Sequence, residues 1–130
     1  VRYLPGDWSE VPVVAPTRTN LSGATQSTGI PVVSTSGVGE TVHVHRAMYV
    51  GSVFDEIHLF AYNSHTSAVE LTLNWGGTTA PDNTIKVNLQ AGTFLKIVDG
   101  LHISGGLKVS AFADATQRVI LYGYVLSHTA

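Results

Sequence analysis

Residues 54–75, FDEIHLFAYNSHTSAVELTLNW, decide how this chain is read. In the first half Ile57, Leu59 and Ala61 alternate with His58, Phe60 and Tyr62. In the second half Val69, Leu71, Leu73 and Trp75 alternate with Glu70, Thr72 and Asn74. A period of two sends successive side chains to opposite faces of a strand. The intervening NSHTS, residues 63–67, has the composition of a hairpin loop.

The same pattern extends outward in both directions. Strands are predicted over 40–49 (ETVHVHRAMY), 54–63, 68–75, 84–90, 94–98, 101–103, 107–112 and 117–127. Gly51-Ser52, the loop GGTTAPDN at 76–83, Ala91-Gly92, Asp99-Gly100, Gly105-Gly106 and residues 113–116 separate them. No segment sustains a helical period, and no repeat of fixed spacing appears. Short strands at roughly 8–12-residue intervals predict an all-β protein, an antiparallel β-sandwich with jelly-roll-like character. Leu59, Leu71, Leu73, Ile85, Val87, Val109 and Leu121 are its expected core. The last strand is apolar on both faces, with Val119, Leu121 and Val125 on one and Ile120, Tyr122, Tyr124 and Leu126 on the other. Its second apolar face needs a cover.

Residues 1–36 read differently. They hold Pro5, Pro12, Pro16 and Pro31 and no Lys, yet carry Tyr3, Leu4, Trp8, Val11, Val13, Val14, Leu21, Ile30, Val32 and Val33. A solvated linker is poor in such residues. An extended N-terminal arm over 1–36 is therefore expected, appended to a β-sandwich domain over 37–130. Trp8, Val11, Val13, Val14, Ile30, Val32 and Val33 are its expected protein contacts, made by lying along another surface. Tyr122 and Tyr124 are the expected subunit contacts of the last strand, because Tyr is enriched at interfaces.

Composition excludes several functions. Charged residues make up 12% of the chain, about half the ~25% usual for a soluble domain. That low charge with 44% apolar residues favours a surface covered in the working state. The net charge is −2, and Arg46, Lys86, Lys96, Lys108 and Arg118 are isolated from one another, so no nucleic-acid partner is expected. Cysteine is absent, which removes disulfides and thiolate metal sites. No apolar run approaches the ~18 residues of a membrane span, and no signal-peptide pattern opens the sequence.

Candidate chemistry is sparse. His43 and His45 stand two apart on a predicted strand and share its polar face, with Glu40, His58 and His102 as possible further metal ligands. Nothing in the spacing selects a complete set, so they read as surface or interface residues and no metal or cofactor is expected. Asp55 and Glu56 are neighbours on a strand and face opposite ways, so they cannot act as an acid–base pair. There is no Gly-x-Ser-x-Gly elbow and no phosphate loop. No catalytic residue is assigned and no enzyme is expected. Trp75 reads as the end of an apolar face rather than a sugar-stacking ring.

The run 55–127, covering most of the predicted domain, resembles small virion proteins of tailed bacteriophages. The resemblance rests on DEIHLFAYN at 55–63, on AVELTLNWGGTTAPDNTI at 68–85, on GLKVSAFA at 106–113 and on the terminal GYV at 123–125; WGGTTAPD at 75–82 is its most specific part. It implies a capsid cement (decoration) protein: a non-enzymatic structural protein on the phage head surface that bridges neighbouring capsid subunits. The implied partners are the major capsid protein and copies of the chain itself, with a homotrimer matching the threefold sites of a capsid lattice. A head–tail connector or tail protein of the same virion is the alternative within that class. A carbohydrate-binding β-sandwich module is the alternative outside it.

Overall fold

The alternation over 54–75 does produce two strands, but they lie in different sheets. In the computed structural model, which describes residues 16–45 and 52–129, nine strands are present among the described residues. They are β1 (Thr17–Asn20), β2 (Ile30–Pro31), β3 (Glu40–Val44), β4 (Ser52–Asn63), β5 (Val69–Trp75), β6 (Thr84–Leu89), β7 (Phe94–Ile103), β8 (Lys108–Ala113) and β9 (Val119–Thr129). Sheet I has the order β1-β9-β4-β7, with β2 also paired to β9; sheet II has the order β3-β8-β5-β6. All pairings are antiparallel. Residues 63–68 therefore cross between sheets instead of closing a hairpin. Asn63 fixes that crossing: its buried amide donates to the carbonyls of Ser67 and Leu89, and its Oδ1 accepts from the His65 N–H.

One hydrophobic core lies between the sheets, giving an all-β, sandwich-like architecture. Ile57, Leu59, Ala61, Val98, Val119, Leu121 and Val125 enter it from sheet I, and Val69, Leu71, Leu73, Leu89, Val109, Ala111 and Ala113 from sheet II. Of the expected core, Leu59, Leu71, Leu73, Val109 and Leu121 are fully buried, while Ile85 and Val87 pack at its margin. β6 is the last strand of sheet II, and its inner face is fully buried at Leu89 and only partly at Val87 and Ile85.

Residues 17–36 belong to this fold. β1 pairs with β9 from Thr17 opposite Ser127 to Asn20 opposite Tyr124, and β2 pairs Ile30 with Leu121. Between them the chain crosses to sheet II, where the Gly23 N–H donates to the Val42 carbonyl and the Ser22 hydroxyl accepts from the Val44 N–H. Leu21, Ile30 and Val32 are buried in the chain's own core. Their apolar character, read from sequence as contact with another molecule, serves this chain's interior. Sequence periodicity could not assign them because β1 and β2 are too short to show a period.

Two irregularities position side chains. Asp99-Gly100, expected as a turn, is a bulge inside the continuous strand β7. Ile57 pairs with Leu101 and His58 with Asp99, so Gly100 is the extra residue, and its φ of 85° suits glycine. In β3, Thr41 pairs with Ser110 and His43 with Val109, so Val42 is the extra residue. That shift turns His43 towards the core side.

Candidate functional site

The Val42 bulge brings His43 against Asp55. Asp55 shares the inner face of β4 with Ile57, and its Oδ2 lies 2.7 Å from His43 Nε2. The Ser22 N–H donates to His43 Nδ1 at 3.0 Å. Nδ1 is thus an acceptor, and Nε2 carries the proton given to Asp55. The Ser127 hydroxyl donates to Asp55 Oδ1 at 2.8 Å. His43 and Asp55 are both buried, and this carboxylate ties sheet II to β4 and β9. Ser127 gives its proton to the carboxylate and not to the imidazole, which is not how a serine nucleophile is activated. His45 is also buried, and its Nδ1 accepts from the Gly106 N–H. The expectation that His43 and His45 form one exposed polar face is corrected by the bulge. Among the described residues no group of His, Asp or Glu is arranged to hold a metal ion.

The outer faces of the two sheets differ. On sheet II, Thr72, Asn74 and Ser110 are buried although they point away from the core. The segment between β2 and β3 lies over Asn74 and Ser110. The Asn74 amide donates to the carbonyls of Gly37 and Val38, and the Ser110 hydroxyl donates to the Val38 carbonyl. Glu40 holds that segment through the Ser34 N–H and hydroxyl.

On sheet I the outer face is a field of rings. Phe54, Glu56, His58, Phe60 and Tyr62 project from β4. Opposite them on β9 stand His128, Leu126, Tyr124, Tyr122 and Ile120, and on β7 stand His102, Asp99, Lys96 and Phe94. Phe54 is stacked between His102 and His128 at 4.2 and 4.4 Å. His58 stacks on Tyr124 at 4.8 Å, and the Arg18 guanidinium lies 4.5 Å from the other ring's centre, that of Tyr124. Phe60 stacks on Phe94, which meets Tyr122 edge-on. Gly123 permits the closeness of β4 and β9 here, since a Cβ would overlap the His58 carbonyl oxygen. Phe94 is 58% exposed, and Tyr62 and Tyr122 are also exposed.

Polar groups thread the same face. Glu56 bridges two imidazoles, with Oε2 at 2.7 Å from His58 Nε2 and Oε1 at 3.2 Å from His128 Nε2. The hydrogen bond with His58 holds the Glu56 carboxyl below its ordinary value; partial desolvation opposes this, and His128 adds to it. Asp99 is paired with Lys96 at 2.7 Å, which lowers the Asp99 carboxyl and raises the Lys96 amine. His58 Nδ1 is 3.4 Å from Asp99 Oδ1, within ion-pair range, but this buried atom has no hydrogen-bond partner.

The residues expected at an interface are dispersed by the fold. Ile30 and Val32 are core residues, Val33 is exposed on the segment after β2, Tyr122 is exposed on the outer face of sheet I, and Tyr124 is half-buried there. Trp8, Val11, Val13 and Val14 lie outside the described residues. The imidazoles and Phe54, Phe60 and Phe94 were missed as a surface. Their alternation with core residues on β4 was the available signal, because it puts every second side chain on one face. Trp75 is half-buried against the core, and its indole N–H donates to the His102 carbonyl at 2.8 Å, so it links the sheets. No protein-family model, curated protein or solved structure matches this chain.

Proposed function

We propose that the chain is a non-enzymatic structural protein of a phage virion, a cement protein that docks on the outer head surface and bridges neighbouring capsid subunits. The observation that carries this reading is the outer face of sheet I, a broad ring-lined surface that has no cover comparable to that on sheet II among the described residues. Large exposed apolar patches mark interaction sites. The strand order supports it: β1/β2-β9-β4-β7 facing β3-β8-β5-β6 is the order of a jelly roll, an architecture frequent in viral capsid and lectin domains. Low charge supports it too, since interface cores are depleted in charge. Many weak contacts on a lattice add up through avidity.

Purified heads lacking the protein provide the test. Adding it should raise the temperature at which they release DNA, with binding near one copy or one oligomer per lattice site. Binding only at a single vertex would favour the head–tail connector or tail reading. Failure to bind virions, with retention on a glycan array that is lost in Phe94→Ala, would favour the carbohydrate-binding reading. Trp75 is a poor anchor for that reading, because its N–H is already bonded within the fold.

A further inference from the structure

We infer that residues 1–15 of this chain fold back over the outer face of sheet I and keep it covered until the protein docks. This rests on the reading of that face as an interaction surface and names what occupies it beforehand. The chain joins the described structure at the border of this face. Pro16 leads into β1, the outermost strand of sheet I, where Thr17 stands opposite Ser127. The same end of the face carries Phe54, stacked between His102 and His128. The outer face of sheet II lies on the far side of the core, and there residues 37 and 38 already lie over Asn74 and Ser110.

Reach and composition fit this occupant. At a rise of about 3.3 Å per residue and a strand spacing of about 4.8 Å, Tyr122 lies about 17 Å from Thr17 and Phe94 about 27 Å. Trp8 stands eight residues before Pro16, a stretch that spans about 26–29 Å when extended. Trp8 therefore reaches Tyr122 with slack and Phe94 at full extension, and Val11, Val13 and Val14 fall along the way. Pro12 and Pro16 bias the residues before them towards extended backbone. The same prolines lack the N–H that a ladder needs, so the segment suits a sheet face better than a further strand beside β1. Its apolar side chains meet a face on which Tyr62, Phe94 and Tyr122 are exposed. Its carboxylates, Asp7 and Glu10, are of the sign that complements Arg18, which has no carboxylate partner among the described residues.

Two arguments select the chain's own segment over that of a neighbour. Residues 17–36 continue its composition, and their apolar side chains Leu21, Ile30 and Val32 are buried in the chain's own core. A segment tethered at the margin of a face also meets that face at an effective concentration of ~mM, above that of a separate copy in dilute solution. Such a cover is held by side-chain contact and not by a strand ladder, so it can be exchanged for a larger surface. Docking replaces the contact of one short segment with that of the capsid lattice. The apparent affinity for heads is then set by the fraction of chains whose face is open.

The chain has no cysteine, so paired replacements in the full chain report the contact. Trp8→Cys with Tyr122→Cys should form a disulfide within one monomer under mild oxidation, identified by mass spectrometry of the linked peptides. Trp8→Cys with Glu70→Cys, which is on the outer face of sheet II, should not. Trp8→Asp with Val11→Asp should raise binding of anilinonaphthalene sulfonate at least ~3-fold, because that dye reports exposed apolar surface. Circular dichroism confirms that each variant is folded. The inference is overturned by a disulfide formed only between chains, by no linkage to Tyr122→Cys, by equal linkage to Glu70→Cys, or by dye binding that does not rise. The linked chain separates this inference from the proposed function. Head binding lost on linkage and restored by reductant supports both. Linkage within the monomer that leaves head binding undiminished keeps the cover and removes this face from head docking. Head binding by a chain that forms no linkage sinks the cover and leaves the proposed function standing.

Discussion

The two outer faces of this protein are built from opposite materials. Sheet II presents Thr72, Asn74 and Ser110, small polar groups of which Asn74 and Ser110 donate to the backbone carbonyls of residues 37 and 38. Sheet I presents Phe54, Phe60, Tyr62, Phe94 and Tyr122 with imidazoles among them. A strand face of short hydroxyl and amide groups suits a cover from its own chain, because main-chain carbonyls need nearby donors when they are buried. A face of rings offers few donors to backbone and much area to other side chains. The difference separates a surface capped by its own chain from one on which Tyr62, Phe94 and Tyr122 stay exposed.

That contrast can be attacked from the inside outward. The inner face common to both sheets should be the most sensitive. Asp55→Ala removes the acceptor shared by the His43 N–H and the Ser127 hydroxyl, at about 1–3 kcal/mol for each lost bond. Chemical denaturation should show a loss of about 2–5 kcal/mol; a loss below about 1 kcal/mol would mean that the cross-sheet link contributes little.

Asn74→Ala tests the cover on sheet II. The Gly37 carbonyl loses the Asn74 donor and the Val38 carbonyl keeps only that of Ser110, and the expected cost is about 1–3 kcal/mol. Hydrogen exchange should speed up in residues 33–39 more than in β4. Uniform acceleration across both sheets would show that the segment is no separate lid on sheet II.

Glu56→Gln probes the polar thread on sheet I. A carboxyl lowered in the folded state favours its charged form there, so its contribution is full above the ordinary value of 4.5 and is lost as pH falls through the lowered folded value. The variant should melt less than about 5 °C below the parent at neutral pH, and the gap should close in acid. A gap that widens in acid would reverse the sign argued for Glu56.

Phe94→Ser should do least to the monomer. The ring is largely exposed, and surface substitutions usually fall within about 0.5 kcal/mol. Its effect should appear in association instead. A large loss of monomer stability would mean that the stack with Phe60 is structural, and the contrast between the faces would weaken.

Particular residues show where sequence reading stopped. Val69, Leu71 and Leu73 announced their burial through a period of two, and the core of sheet II follows from it. Glu56 and Asp55 were separable for the same reason, since a strand sends neighbours to opposite faces. His43 defeated the rule, because one extra residue at Val42 reverses everything after it, and a bulge leaves no mark in a short strand. Leu21, Ile30 and Val32 were legible as apolar but not as this chain's own core.

The sequence by itself determined that the protein is all-β, which residues of β4, β5 and β9 turn inward, and that the last strand is apolar on both faces. Those follow from local periodicity, which depends on backbone geometry alone. Only the tertiary structure decided that β4 and β5 lie in different sheets, that residues 17–36 wrap back onto β9 and β3, and that Phe54, Glu56, His58, His102, Tyr124 and His128 form one surface. These depend on pairings between residues far apart in the chain, such as Asp55 with Ser127. Which strand edges meet is settled by the joint packing of the whole core, and no local pattern encodes it.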